Sequence, residues 1–199
     1  MQNEVKALKF LRQRPGIHKT GEFLAAGVYN RTLYRLRDKG TLVKVGYGLY
    51  RLAEKEPVQH SVYAELSWRI PKGVFCLISA LDFHQIGTQE PYKHWIALPR
   101  GAHKPKIREY DIQYAFYKDK AYETGIEKHI VEGVEVRVYN PAKTVVDCFK
   151  HRNKIGLEVA IEALREAVRA KKATIPEIIR YAELFRMKNV MMPYLEGLR

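Results

Sequence analysis

The chain has 199 residues, 46% of them hydrophobic, with 35 Lys or Arg against 22 Asp or Glu and a formal net charge of +13. That is enough apolar material to fill the core of one domain or two small ones, so a disordered chain is excluded. No apolar run approaches the ~20 residues of a membrane span, and the opening MQNEVKALKF lacks the apolar centre of a signal peptide, so a cytoplasmic protein is expected.

The charge is concentrated. Residues 1–53 hold eleven Lys or Arg against Glu4, Glu22 and Asp38, whereas the rest of the chain holds 24 against 19. Such concentration fits a phosphate-facing module, because each neutralised phosphate releases condensed counterions. A membrane surface would attract the same charge, but the first helical pattern lacks the large aromatic apolar face of an interfacial helix.

In chain order, a helix is expected from about Asn3 to Arg12, with Val5, Leu8 and Leu11 inward and Pro15-Gly16 as the stop. A second can start at Thr20, whose hydroxyl can cap a free backbone N–H, and end at Gly27 in the left-handed conformation. A third covers Asn30 to Lys39. At 3.6 residues per turn Leu33 and Leu36 face one way, and Arg31, Tyr34, Arg35 and Asp38 share the other face. Only a tight turn separates these two helices, which is helix-turn-helix spacing. Strands are expected at Leu42 to Val45 and Leu49 to Leu52 around Gly46-Tyr47-Gly48, both glycines being able to adopt positive φ. A helix-turn-helix followed by a hairpin is a winged helix. Its candidate DNA contacts are Lys19, Thr20, Asn30, Arg31, Thr32, Tyr34, Arg35, Lys39, Lys44, Tyr47 and Arg51. The competing reading is a small helical domain with a solvated basic face.

After Leu52 the polar, proline-containing AEKEPVQHS marks a boundary, giving a winged domain over residues 1–53 and a second domain over 54–199. The second opens with a helix from Ser61 to Arg69 and a buried strand within Gly73 to Ile78. Ser79 is expected to cap a helix that ends at Gly87. Strands follow at His94 to Leu98 and Tyr110 to Tyr117, then a hairpin of Ile126 to Val131 and Val134 to Tyr139 turning at Glu132-Gly133. Asn140-Pro141 starts a helix that carries Val145, Val146 and Phe149 inward. The chain then becomes helical, with an apolar stripe of Leu157, Ala160, Ile161, Leu164 and Val168, a T-x-x-E capping box at Thr174 to Glu177, and a last short helix around Met191 to Leu198. The fold class is therefore α+β: a winged helix, then a mixed α/β domain with a C-terminal helical subdomain.

A catalytic constellation is not found. Gly46-Tyr47-Gly48 has no third glycine and opens no helix, and there is no GxxxxGK[ST], HExxH, CxxC or GxSxG. The seven histidines lack the i, i+4 pairing of metal ligands, and His84 is read as packing or capping at the end of its helix. Asp147 lies among apolar residues and needs a partner if buried, with Lys143 or Arg152 in reach. Cys76 and Cys148 sit in apolar runs where a reduced, buried thiol is expected, so neither disulfide nor metal, and no cofactor, is called for. Glu90 with Lys93, or Asp111, has no spacing that favours a nuclease core over a solvated surface. Two basic stretches stand out. PRGAHKPKIR places Arg100, His103, Lys104, Lys106 and Arg108 on a proline-stiffened loop that can meet phosphate or an acidic protein partner or be merely solvated. Lys150-His151-Arg152-Asn153-Lys154 closes a helix, where it can likewise meet phosphate or an acidic partner or simply complement the helix dipole.

The chain resembles the AbiEi antitoxins, the DNA-binding half of type IV toxin-antitoxin pairs. TLYRLRDKGTLVKVGYGLYRL carries the resemblance in the winged region, with GVFCLISALDFHQIGTQEPYKHWIALPRG and VRVYNPAKTVVDCFKHRNKIGLEVAIEALREA beyond it. The resemblance implies a non-enzymatic regulator that binds double-stranded DNA at the operator of its own operon. It also implies a C-terminal domain that counteracts a nucleotidyltransferase-like toxin, in the setting of phage defence by abortive infection. Similar sequences often have serine at the position of Tyr29 and arginine at that of Tyr47, so here the helix cap and the wing-tip contact differ from the family pattern. Two other readings remain: a winged-helix regulator whose second domain senses a small molecule, and a nucleic-acid-modifying enzyme with a basic targeting domain.

Overall fold

Two compact units divide the chain: Met1–Pro71 together with His129–Val136, and Lys72–Lys128 together with Arg137–Arg199. The structure is a computed structural model that describes residues 2–53 and 60–198. Most of the expected linker lies outside the described residues. The division itself falls elsewhere than the expected 53/54 boundary, because the helix beginning at Ser61 and the tip of a later hairpin cluster with the N-terminal residues.

In the first unit α1 (Gln2–Gln13) directs Ala7 and Leu11 into the core. Val5, expected inward, is 65% exposed. It lies about 200° around the helix from Ala7, so the face that buries Ala7 and Leu11 turns it to solvent. After α1 come β1 (His18–Lys19), α2 (Thr20–Ala25), α3 (Asn30–Asp38), β2 (Leu42–Gly46) and β3 (Leu49–Leu52). Their antiparallel sheet has the order β1-β3-β2. The two-residue β1 was not expected, since a strand that short leaves no periodicity to read. Ala7, Leu11, Phe23, Val28, Leu33, Leu36, Leu42 and Tyr50 form one core, with Phe10 and Leu52 against it. α4 (Ser61–Arg69) completes the unit, with Tyr63, Ala64 and Leu66 buried.

The second unit alternates strands and helices before turning all-helical: β4 (Val74–Phe75), α5 (Leu77–Phe83), β5 (His94–Pro99), β6 (Ile112–Tyr117), α6 (Asp119–Glu123), β7 (Ile126–Val131) and β8 (Val134–Tyr139), then α7 (Pro141–Lys150), α8 (Arg152–Ile155), α9 (Leu157–Arg169), α10 (Ile175–Leu184) and α11 (Lys188–Glu196). The mixed sheet runs β6-β5-β4-β8-β7, with β5 parallel to β6, β4 antiparallel to β5, and β4 parallel to β8. The expected strand at Gly73 to Ile78 is cut to two residues because α5 starts at Leu77. Ser79 is therefore not at the cap position, which Cys76 occupies. It is buried inside α5, and its Oγ accepts a hydrogen bond from the Trp95 amide at 2.8 Å, tying α5 to the start of β5.

α7 is the centre of this unit, and every residue from Ala142 to Phe149 is buried. Asn140 starts it as expected, its side chain accepting from the Lys143 amide at 2.8 Å. α5, α9 and α10 pack around it. α9 meets it mainly through small residues, Ala160, Ala163 and Ala167 with Leu164, while Ile161 and Val168 of the expected stripe lie at its margin. The capping box forms, with the Thr174 amide donating to Glu177 at 2.8 Å.

A helix buried on all sides has no surface for polar residues, yet α7 carries Lys143 and Asp147. They solve this as a pair one turn apart, Lys143 Nζ lying 2.5 Å from Asp147 Oδ2 with both side chains sealed from solvent. Three rings complete the enclosure, their centroids 3.9 Å (Tyr139), 4.7 Å (Tyr117) and 4.8 Å (Phe185) from Nζ. Ring faces attract a cation, so the ammonium is compensated where its carboxylate does not reach. Burial first, and the Asp147 charge second, push the Cys76 and Cys148 thiols and the Tyr117 and Tyr139 phenols upward, so all four stay protonated. Both cysteines are free thiols.

Removing one member of a buried pair strands the other charge, whereas replacing both with apolar residues does not. Lys143→Met is expected to lower unfolding free energy by about 3–5 kcal/mol, and Lys143→Met with Asp147→Leu to recover most of that loss. Urea titrations of the two variants check this. A double variant as weak as the single one would mean that packing, not the stranded carboxylate, sets the cost.

Candidate nucleic-acid interface

The interface is built on the turn between α2 and α3. Gly27 closes α2 at φ +75°, in the region closed to most side chains. Its amide donates to Leu24 O at 2.9 Å and the next amide, of Val28, reaches Phe23 O at 2.8 Å. This is the helix ending the sequence implies, and it buries Val28 beneath the turn. The chain then enters α3 through Tyr29, which occupies the cap position without a capping side chain. The Thr32 amide turns back to Tyr29 O at 2.9 Å, and the cap side chain satisfies neither of the two amides before it, where a phosphate oxygen is a natural acceptor.

α3 divides as expected. Leu33 and Leu36 are buried, and Arg31, Tyr34 and Arg35 face solvent, Tyr34 being 48% exposed. Thr32 is a correction: at 5% exposure it belongs to the packed face, so it cannot reach a duplex. The outward cations are not equivalent. Arg37 lies 5.4 Å from the Tyr34 ring centroid and pairs with Asp38 at 2.7 Å. Arg35 and Lys39 converge on a carboxylate of α1 that the sequence reading did not single out, with Arg35 Nε 2.7 Å and Lys39 Nζ 2.9 Å from Glu4 Oε1. The Lys39 hydrogen bond, with the Arg35 charge beside it, holds the Glu4 carboxyl below its ordinary value. Arg31 has no ion pair among the described residues.

The wing presents Tyr47 at its tip, 92% exposed, with Lys44 Nζ 5.8 Å from its ring centroid. Gly48 alone takes a positive φ, +68°, while Gly46 continues β2 past a register shift. Thr20 was expected to cap α2 and face DNA. Instead it is the first helical residue, and both its amide (2.8 Å) and its hydroxyl (3.0 Å) donate to Gly48 O, fixing the turn of the wing to the start of α2. Lys19 is exposed, with Nζ 5.6 Å from the Trp68 ring centroid. Arg51 is the second correction. Its side chain is only 16% exposed and lies 3.6 Å from Glu132 Oε1, an ion pair too long for a hydrogen bond. Glu132 is held where it is by its backbone: its carbonyl accepts the Ile17 amide at 2.9 Å, and at Gly16 (φ +124°) any Cβ would collide with that same carbonyl oxygen. The outward set that remains is Lys19, Asn30, Arg31, Tyr34, Arg35, Lys39, Lys44 and Tyr47.

In the second unit Arg100, His103, Lys104, Lys106 and Arg108 are all exposed. Their loop is anchored: the Arg100 amide donates to Tyr117 O at 2.7 Å and the Tyr114 hydroxyl to Pro105 O at 2.8 Å. Lys104 Nζ sits 5.6 Å from the Phe116 ring centroid, on the edge strand β6. The cluster after α7 is structural in part, since Arg152 Nη1 donates to Phe149 O at 2.9 Å. His84 packs as read, Nε2 lying 2.9 Å from Tyr139 O. Among the described residues no group of three or more His, Cys, Asp or Glu is placed to hold a metal, and no helix is long and apolar enough to cross a membrane.

A winged helix-turn-helix with an arginine-bearing second helix is the architecture of DNA-binding transcriptional regulators. Residues 6–53 match the family described as transcriptional regulator, AbiEi antitoxin, a match that covers the winged segment, about a quarter of the chain. The crystal structure of the RV2827C protein from Mycobacterium tuberculosis has the same fold, with a TM-score of 0.69 at 14% identity over 98% of this chain and 78% of that one. No curated protein matches the sequence.

The two wing residues separate by role. Lys44→Ala is expected to leave the melting temperature unchanged while weakening binding to any duplex and reducing the salt slope by roughly one phosphate's worth. Arg51→Ala is expected to do the reverse, leaving the slope alone and costing about 1–3 kcal/mol through the loss of a mostly buried guanidinium beside Glu132. Binding titrations at two salt concentrations, with a thermal melt of each variant, check both.

Proposed function

We propose that the chain is the antitoxin and transcriptional repressor of a toxin-antitoxin operon, acting in the cytoplasm. The first unit binds the operator of that operon, α3 lying in the major groove and the wing on the adjoining backbone. The second unit counteracts a toxin resembling a nucleotidyltransferase. The observation that carries this reading is the outward row Arg31, Tyr34 and Arg35, set back to back with the buried Leu33 and Leu36 in the segment that matches the AbiEi family. The charge distribution supports it, since the strongest excess of cations lies in that segment. No cofactor or metal enters the proposal, and neither does catalysis.

An arginine bidentate to guanine contributes about 1–3 kcal/mol of discrimination, while one on phosphate mainly alters affinity and salt slope. At least one of Arg31→Ala and Arg35→Ala is therefore expected to weaken operator binding by on the order of tenfold or more, with a smaller loss on random duplex. The double variant should lose repression of a reporter and still rescue growth when co-expressed with the toxin. Operator binding equal to wild type in both single variants would show that α3 does not read DNA.

The basic loop supplies a test of the second unit. Replacing Arg100, Lys104 and Lys106 with alanine should leave the melting temperature nearly unchanged, because exposed charges contribute little to folding. Toxin neutralisation or DNA affinity is expected to fall. A triple variant equal to wild type in both assays would make the loop ordinary surface.

A further inference from the structure

We propose that Glu4 is a positioning residue for sequence reading: it holds Arg35 so that its guanidinium faces a base, and it withholds Arg35 and Lys39 from phosphates. The inference rests on the reading of α3 as the groove-entering helix. Its observation is the shared contact of one carboxylate oxygen with two cations a helical turn apart, Arg35 Nε at 2.7 Å and Lys39 Nζ at 2.9 Å. Glu4 is largely covered, with 18% of its side chain exposed, whereas Arg35 and Lys39 keep 51% and 55%. The acid is thus fixed behind two cations that still face outward.

A guanidinium has two hydrogen-bonding edges, one made by Nε with a terminal nitrogen and one made by the two terminal nitrogens. Glu4 Oε1 lies against Nε as an ion pair rather than an aligned hydrogen bond, and among the described residues Arg35 has no other ion pair. The terminal edge is the one left to offer the paired donors that guanine O6 and N7 accept. An arginine already held by a neighbour also loses less rotamer freedom on binding than a free one. The same carboxylate acts against the wrong target. To grip a phosphate instead, Arg35 or Lys39 must leave Glu4 and bring phosphate towards an anion, so binding to random duplex is penalised. Arg31, which has no such anion among the described residues, is left to contact phosphate. Glu4 therefore raises the ratio of specific to random binding rather than affinity itself.

The experiment uses the full chain, a duplex that it selects from a random pool, and a scrambled duplex of the same composition. Glu4→Gln is expected to bind the scrambled duplex more tightly, with a salt slope steeper by roughly one, and to lower the selected-to-scrambled ratio by on the order of tenfold. Glu4→Asp, which keeps the charge and shortens the reach, should lower the ratio as well, which keeps the test open if Glu4→Gln melts early. In an Arg35→Ala background Glu4→Gln should change the ratio clearly less than in the wild type, because only the release of Lys39 remains, and in a Lys39→Ala background most of the change should persist. An unchanged ratio in both Glu4 variants, or a loss that persists undiminished without Arg35, overturns the inference. The parent reading fails separately: there, Arg35→Ala and Arg31→Ala would themselves leave the ratio at the wild-type value.

Discussion

The constraint on which the second unit depends is that its central helix has no solvent side. Sheet strands and three helices close around α7, so its polar residues had to satisfy one another or be absent. Lys143 and Asp147 do so at i, i+4 spacing, inside rings supplied by β6, β8 and the end of α10. The pair thereby fixes the rotation of α7, because a turn in either direction would carry a charge away from its partner or from the rings. The same enclosure raises both thiols, burial being the larger cause, so that they stay protonated beside the buried pair.

Much of this architecture was legible in the sequence, and the parts that were not share a cause. The β7–β8 hairpin, the Asn140 start of α7, the Thr174 capping box and the Gly27 ending are set by residues within a few positions of each other, and all appear where the chain itself implies them. The errors arise where a distant neighbour decides. β1 exists because β3 offers it a ladder edge, and β4 is short because α5 takes over at Leu77. Val5 faces water because Ala7 and Leu11 meet the core. At the candidate interface the helical period separates Arg31 and Arg35 from Leu33 and Leu36. It also places Thr32 near enough to the outward row to be counted with it, and only packing removes it. Glu4 was invisible as a site residue because its two partners lie more than thirty positions along the chain.

The cations of the first unit are thus sorted by the company they keep. Arg51 is paired inside the unit with Glu132, Arg37 with its neighbour Asp38, and Arg35 with Lys39 by a single shared carboxylate, while Arg31 and Lys44 have no ion pair among the described residues. A count of positive charge treats these as equal. Duplex binding distinguishes them, because only an unpaired cation adds its full share to the counterion release that drives non-specific affinity.

The tip of the β7–β8 hairpin, counted with the N-terminal unit and gripping it through the Glu132 carbonyl and carboxylate, has a consequence for how the protein is made. During synthesis the first helices, strands and wing emerge long before residues 129–136, so Gly16, Ile17 and Arg51 wait on the ribosome for a partner not yet translated. The N-terminal unit is completed only after most of the second unit's sheet has left the exit tunnel. A nascent chain stopped short of Glu132 lacks both the carbonyl that accepts the Ile17 amide and the carboxylate that pairs with Arg51.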